Sequence, residues 1–398
     1  MLAAVRRLAL PGALLGTTIA AVTLLADQPA QAYPFMVRHG YTGCGECHVD
    51  PSGGGVISEY GRGQSEILLR TPWEDRSGDC APSDVKDFGF GAISLPEWLM
   101  LQADSRSMFI PEPGNFRIIQ MQTDLRGAVR TDHFVASGSF GWVSEGAMNA
   151  WVTSNATGGN LVAREYWLGY KPDKAFTIRA GRMNLPFGLR SEEHLLYPRS
   201  FTATNTNASQ QTGLAVAYES KKLRGEVMGI AGNFQVSPDS FRERGASGYV
   251  AHATGRKSEV GVSGLYGHAR LDPLTRSERS HGAAGLFGKA AISTPVVVMA
   301  EADVTTDSEA GGPAAVGMAS YLQLDVEPTQ GVHVRGTGEY CNADLSAGAA
   351  SSYAGWLGGQ WFFMPHVDLR LDAAYGSLYC TVAPSPQLMG LAQVHLFL

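Results

Sequence analysis

From about residue 92 onward, apolar and polar residues alternate along the chain in one segment after another. In "VDLRLDAAY", Val367, Leu369, Leu371, Ala373 and Tyr375 fall on one face and Asp368, Arg370 and Asp372 on the other. The segment "IQMQTDLRGAVR" sets Gln120, Gln122, Asp124, Arg126 and Arg130 against Met121, Leu125 and Val129. Likewise "VHVRGTGEY" sets His333, Arg335, Thr337 and Glu339 against Val332, Val334 and Tyr340. A period of two over such stretches makes a strand with one apolar and one charged face.

The connections sort these strands into an architecture. Short turns near 130–132, 171–174, 220–222, 256–257, 294–295, 328–330 and 364–365 alternate with longer connections at 111–116, 145–160, 184–211, 232–245, 271–280, 306–313, 342–350 and 379–386. About sixteen segments lie between them, the first near 93–110 and the last at 387–398, which suits an even-numbered barrel. Regular alternation of short and long links is what a barrel with both termini on one side of a membrane requires; a soluble β-sandwich has no use for it. The predicted fold is all-β, an antiparallel outer-membrane barrel whose short turns and termini face the periplasm.

Composition agrees and narrows the partners. Hydrophobic residues make up only 44% of the chain and no run beyond Leu25 approaches the length of a spanning helix, so a helical membrane protein is excluded. The 48 glycines and the low share of charge, 17%, suit glycine-aromatic barrel strands. A net charge of −6 argues against a nucleic-acid partner and admits cationic substrates. At the N-terminus Arg6 and Arg7 precede an apolar run from Leu8 to Leu25, and Ala30, Gln31 and Ala32 form a small-residue cleavage site. Residues 1–32 therefore read as a secretory signal peptide, with Tyr33 as the expected mature start.

Between the signal peptide and the barrel stands "HGYTGCGECHVDPSGGG". Cys44 and Cys47 are spaced to form thioether links to one covalent haem c, and His48 to ligate its iron, in the exported compartment where such attachment takes place. A redox pair of the two cysteines lacks the βαβ context it needs, and a zinc site lacks a second ligand pair. His39 and, behind it, Met36 are the candidate distal ligands, and barrel histidines such as His333 are a further source. Gly53, Gly54 and Gly55 serve either a close backbone approach to a flat macrocycle or a plain turn. The expected organisation is a signal peptide at 1–32, a haem-binding segment at 33–63, a linker at 64–91 and the barrel at 92–398. The haem segment is expected in the barrel or on its periplasmic side. Cys341 and Cys380 lie at the outer ends of neighbouring strands, open either to pairing or to two separate thiols, and Cys80 in the linker is unassigned.

"YPFMVRHGYTGCGECH" followed by "EYGR" (Glu59 to Arg62) and a barrel resembles the outer-membrane monohaem cytochrome c-porin fusions of the iron-oxidising type. Separately, "IRAGRMNLPFGLRSEEH", from Ile178 to His194, is similar to a strand-and-loop segment of phosphate-type sixteen-stranded porins. The first resemblance implies an electron-transfer protein, with Fe(II) oxidation as its candidate reaction, in a Gram-negative outer membrane. Its partners would be an extracellular donor or acceptor such as Fe(II), outer-membrane lipid, and a periplasmic c-type cytochrome or other periplasmic redox carrier. Glu192, Glu193 and His194 in the longest loop are candidates for attracting a cationic donor. Two other readings stand beside it. One is a diffusion porin carrying a haem plug or sensor, with Arg126, Arg130, Arg179, Arg335 and Arg370 beside Asp124, Asp368 and Glu339 in a wet lumen. The other is electron export to an outside acceptor.

Overall fold

In the computed structural model the alternating segments pair in sequence order into one closed antiparallel barrel. The structure describes residues 33–72, 88–89, 92–112, 114–144, 159–193, 195–206, 209–272, 276–346, 348, 350–377, 379–380 and 384–398. The expected signal peptide, Cys80 and His194 lie outside them.

The strands are β1 (Leu99–Glu112), β2 (Asn115–Arg130), β3 (Phe134–Ser144), β4 (Gly159–Val162), β5 (Tyr166–Tyr170), β6 (Phe176–Met183), β7 (Gln211–Glu219), β8 (Leu223–Gly232) and β9 (Arg244–Gly255). They continue as β10 (Ser258–Ala269), β11 (Arg279–Ser293), β12 (Val296–Glu309), β13 (Ala315–Thr329), β14 (Val332–Asn342), β15 (Ser352–Met364), β16 (Val367–Gly376) and β17 (Gln387–Phe397). Both β4 and β5 pair with β3, so they share one stave and the seventeen segments make sixteen staves. Pairing of β1 with β17 closes the sheet.

Burial along each stave runs opposite to that of a soluble protein. In β16, Leu371 is 67% exposed while Asp368, three residues away on the other face, is 0% exposed. The same holds in β14, where Val334 faces out and His333, Arg335, Thr337 and Glu339 face in. Apolar side chains turned outward and charges turned inward are stable only if the outer surface meets hydrocarbon. Exposed and half-buried aromatic residues belt the two rims: Phe134 with Tyr170 (ring centroids 5.2 Å apart) and Phe176 with Tyr218 (5.0 Å) at the short-turn end, Tyr340 with Tyr353 (5.3 Å) at the other. This is an outer-membrane barrel.

Two segments fill it. From the short-turn end residues 33–72 enter the lumen as a plug, made of a 3-10 turn (Pro34–His39), the helix α1 (Glu59–Gln64) and a π turn (Ser65–Leu69). Arg38 is buried against Asp325 and Glu327, Lys289 Nζ donates to the Thr42 carbonyl at 2.8 Å, and Arg62 donates to the carbonyl of Leu101. Further along, the Thr71 amide donates to the Phe362 carbonyl at 2.9 Å. The plug thus runs past the boundary expected at residue 63, because buried Leu69 joins the lumen's apolar cluster and Thr71 pairs with β15.

From the other end the described residues after β6 (184–193, 195–206 and 209–210), with helix α2 (Tyr197–Phe201), fold inward rather than out. Arg199 of α2 pairs with Glu301 of β12, and the Tyr197 amide donates to Glu339 of β14 at 2.6 Å. Glu192 and Glu193 pair with Arg335 and Arg370. These acids are consumed inside the lumen, which corrects the expectation that they attract a cation at an exposed loop. Two smaller corrections concern β1 and β2. Strand β1 begins at Leu99 rather than near 93, and the long connection expected at 111–116 is a two-residue turn between Glu112 and Asn115.

Cys341 at the end of β14 forms a disulfide with Cys380 beyond β16, across a sequence separation of 39. Replacing Cys341 by Ser is expected to lower stability by about 2–4 kcal/mol, because the open chain regains the entropy of that loop. Urea unfolding of the folded barrel in lipid vesicles measures it. An equal loss on adding reductant to the parent chain, and none in the variant, confirms the cause.

Candidate functional site

The Cys-X-X-Cys-His turn is held by its own backbone. The Cys47 and His48 amides both donate to the Cys44 carbonyl, at 3.2 and 3.0 Å, winding the two thiols and the imidazole onto one turn. A small clip then returns the chain, with the Val49 amide on the Val56 carbonyl (2.9 Å) and the Ser58 amide on the Cys47 carbonyl (2.7 Å). At its tip Gly53, Gly54 and Gly55 have φ of 84°, 90° and 64°, a left-handed run that side chains resist. A Cβ on Gly53 would stand 3.0 Å from Cys44 Sγ, so the glycines serve both as a turn and as a close backbone approach to the motif.

The barrel grips this clip at several points. Asp50 accepts from Ser52 (amide 2.7 Å, hydroxyl 2.8 Å) and pairs with Arg179 of β6 at 2.6 Å. Arg126 of β2 donates to the Gly55 carbonyl at 3.1 Å. From the inward loop, Arg190 donates to the Ser52 carbonyl at 2.9 Å.

A cavity of about 180 Å³ lies between the plug and the inward loop. Met36, Cys47 and His48 line it from the plug, Arg106 and His395 from the barrel, and Arg190 from the loop. Met36 is 1% exposed. His39 lies outside the cavity, its ring 3.9 Å from Glu327, and His333 is also away from it, tilted against Phe35 (ring centroids 4.3 Å apart) with Nδ1 3.1 Å from Asp325.

The electrostatics suit a neutral donor set. Burial, opposed by the Asp50 charge, pushes His48 down to about 4, so its imidazole is neutral and able to ligate iron. Its Nδ1 is buried with no hydrogen-bond partner among the described residues. Burial first, then the neighbouring Cys44, pushes the Cys47 thiol up to about 12, so it is a thiol and not a thiolate. A thioether link replaces that S–H without adding charge to a buried site. Cys44, Cys47 and His48 share one buried turn; of the three, Cys47 and His48 line the cavity, with side-chain-free Gly54 and Gly55 beside them, and a covalent haem would draw on that set. No group of three or more His, Cys, Asp or Glu side chains among the described residues is arranged to hold a metal ion.

Among the cavity residues that the sequence did not single out are Arg106, Arg190 and His395. Alternation in "LQADSRSM" and "AQVHLFL" places Arg106 and His395 on inward faces, but nothing local gives their height along the barrel. His395 bridges two carboxylates, Nδ1 to Asp368 at 3.0 Å and Nε2 to Asp104 at 3.3 Å.

Comparisons with known proteins bear on the barrel. Residues 135–317, somewhat less than half of the chain, match the family described as phosphate-selective porin O and P. The fold is similar to OmpT of Vibrio cholerae, solved in a trimer form, at a TM-score of 0.59 and 12% identity over 75% of this chain and 99% of that one. It is similar to the anion-selective porin from Comamonas acidovorans (TM-score 0.54, 12% identity, 75% and 98% covered). DcaP of Acinetobacter baumannii, an outer-membrane channel, aligns at a TM-score of 0.53 with 11% identity, over 75% and 97%. No curated protein matches the sequence. The porins are covered almost whole, whereas a quarter of this chain has no counterpart in them. Fold and matches together make this a porin-type outer-membrane barrel.

Proposed function

We propose that this porin-type barrel is closed by a haem-bearing plug and carries electrons, not solutes, across the outer membrane. The observation that carries the reading is the cavity at the base of the lumen, where Cys47, His48 and Met36 converge between a buried plug and an inward loop. Cys44 and Cys47 would anchor the haem covalently and His48 would be its axial ligand. A haem c held there supplies a one-electron Fe(III)/Fe(II) couple. The plug excludes water and solutes, and the barrel satisfies every backbone hydrogen bond in lipid around it. In this reading an extracellular donor such as Fe(II) is oxidised to Fe(III), and a periplasmic c-type cytochrome, or another periplasmic carrier, gains the electron. Export to an outside acceptor reverses the direction with the same residues.

The test uses the purified full chain in sealed vesicles, with Fe(II) outside and a soluble cytochrome c trapped within. Haem absorbance that reduces on addition of Fe(II), followed by reduction of the trapped acceptor, is expected. Vesicles that leak small ions while any haem stays oxidised would sink the reading.

A second reading, a diffusion porin bearing a plug, is favoured by the likeness of the barrel to solute channels. It predicts ion conductance from the full chain without plug removal.

Met36, which lines the cavity, would serve as the distal ligand in preference to His39, which does not. Met36→Ala is expected to lower the haem midpoint potential and alter its absorbance, since thioether ligation raises the potential. His39→Ala should leave both unchanged. A redox titration of the two variants decides between them, and the opposite result assigns His39.

A further inference from the structure

Two guanidinium groups on the cavity wall make no ion pair among the described residues, although Asp104 lies near enough to Arg106, and Glu165 to Arg190, to feel their charge. Arg106 of β1 has its Nε buried with no hydrogen-bond partner among the described residues. Arg190 of the inward loop donates only to uncharged oxygens, the Ser52 carbonyl (2.9 Å), the Ser52 hydroxyl (3.3 Å) and the Leu185 carbonyl (3.3 Å). Of the carboxylates on the same wall, Asp104 and Glu192 are ion-paired elsewhere, and Glu165 is held by a neutral amide. Asp104 is held by His395 at 3.3 Å and Arg126 at 3.5 Å, Glu165 accepts from Asn184 at 2.6 Å, and Glu192 pairs with Arg335. Arg126 divides itself between Asp104 and Asp124.

Both arginines are half-buried, and a charge drawn partly out of water gains when a counter-charge meets it. Guanidinium groups meet planar oxyanions best, through paired N–H donors. We propose that Arg106 and Arg190 form a cradle for an anionic ligand bearing carboxylate or phosphate oxygens, and that its occupant is the propionate edge of the haem. This rests on the haem reading above. The two arginines approach the cavity from different elements, one from the barrel and one from the inward loop, so a ligand with two carboxylates would tie plug, wall and loop together. A free oxyanion from solution is the other source of the same chemistry.

The experiment uses the full chain with its haem, and the variants Arg106→Gln, Arg190→Gln, both together, Arg106→Lys, and Lys222→Gln on an exposed turn as a control. Covalent haem is first counted by the absorbance of the alkaline pyridine complex. Midpoint potentials then follow from redox titration. Each loss of a positive charge beside a propionate disfavours the reduced, more negative state. It is expected to shift the reduced-to-oxidised ratio at fixed potential about tenfold toward oxidised, or 59 mV for a one-electron couple. Arg106→Lys should restore most of that shift, and Lys222→Gln should show none. Full haem content with an unchanged potential in the double variant overturns the cradle and leaves the haem reading standing. A parent chain without covalent haem overturns that reading instead; calorimetry with inorganic phosphate then decides the rest. Binding that needs both arginines assigns the cradle to a free oxyanion, and no binding overturns it outright.

Discussion

Removing residues 33–72 is expected to raise single-channel conductance in a planar bilayer by about tenfold or more, since barrels of this strand number enclose a water-filled channel unless something fills them. In this barrel the filling is the plug. It occupies the short-turn half of the lumen, and its contacts are of the kind that water replaces readily once the segment is gone. Arg179, Arg126, Lys289, Asp325 and Glu327 would then face water, which replaces the plug's groups, while Arg179 keeps Glu226 and Arg126 keeps Asp104 and Asp124. The full chain should conduct little. The inward loop stays in the truncated chain, latched by Arg199 to Glu301 and by Glu192 to Arg335, so the opened channel is narrowed on one side but not closed. A folded truncated barrel that conducts no better than the parent would show that the loop, not the plug, is the seal. It would also remove the reason to read the cavity as shut off from solution.

The barrel was legible in the sequence because lipid outside and charge inside impose a sharp contrast on alternate residues. Asp368 against Leu371, or Arg335 against Val334, is visible without coordinates. The short turns near 220–222 and 256–257 were legible for a related reason, since a hairpin there must be tight and charged. The connection at 111–116 was misread because Pro111, Pro113 and Gly114 look like loop residues in isolation; Pro111 instead lies in β1 and pairs with Phe116 of β2. The length of the connection after β6 could be read, but its direction could not. That depends on Glu301, Arg335, Glu339 and Arg370, more than a hundred residues downstream, and no local pattern reports such partners. The Cys-X-X-Cys-His motif is visible in the sequence as spacing alone, whereas the choice between Met36 and His39 as the proposed distal ligand is three-dimensional. Both precede the motif on the same turn of chain, and only the packing of Pro34–His39 turns Met36 to the cavity and His39 toward Glu327.

The plug can be broken at one atom. Gly61 and Gly63 lie in the same short helix α1, yet their surroundings differ completely. A Cβ on Gly61 would stand 2.5 Å from the Cys47 carbonyl oxygen and 2.9 Å from the Cys47 Cα, both backbone atoms that cannot swing away. Around Gly63 nothing lies within 4 Å. Gly61→Ala is therefore expected to push α1 off the Cys-X-X-Cys-His turn and destabilise the docked plug by about 1–3 kcal/mol, the usual range for forced overpacking. Gly63→Ala should be neutral or stabilise by up to about 1 kcal/mol, since alanine is the better helix former. Limited proteolysis of folded barrels in vesicles reads plug docking directly, and covalent haem content reads the motif. Faster cleavage within residues 33–72 and reduced haem are expected for Gly61→Ala alone. Equal behaviour of the two variants would mean that α1 does not pack on Cys47 and that the motif is held by the barrel only, through Arg126, Arg179 and Arg190.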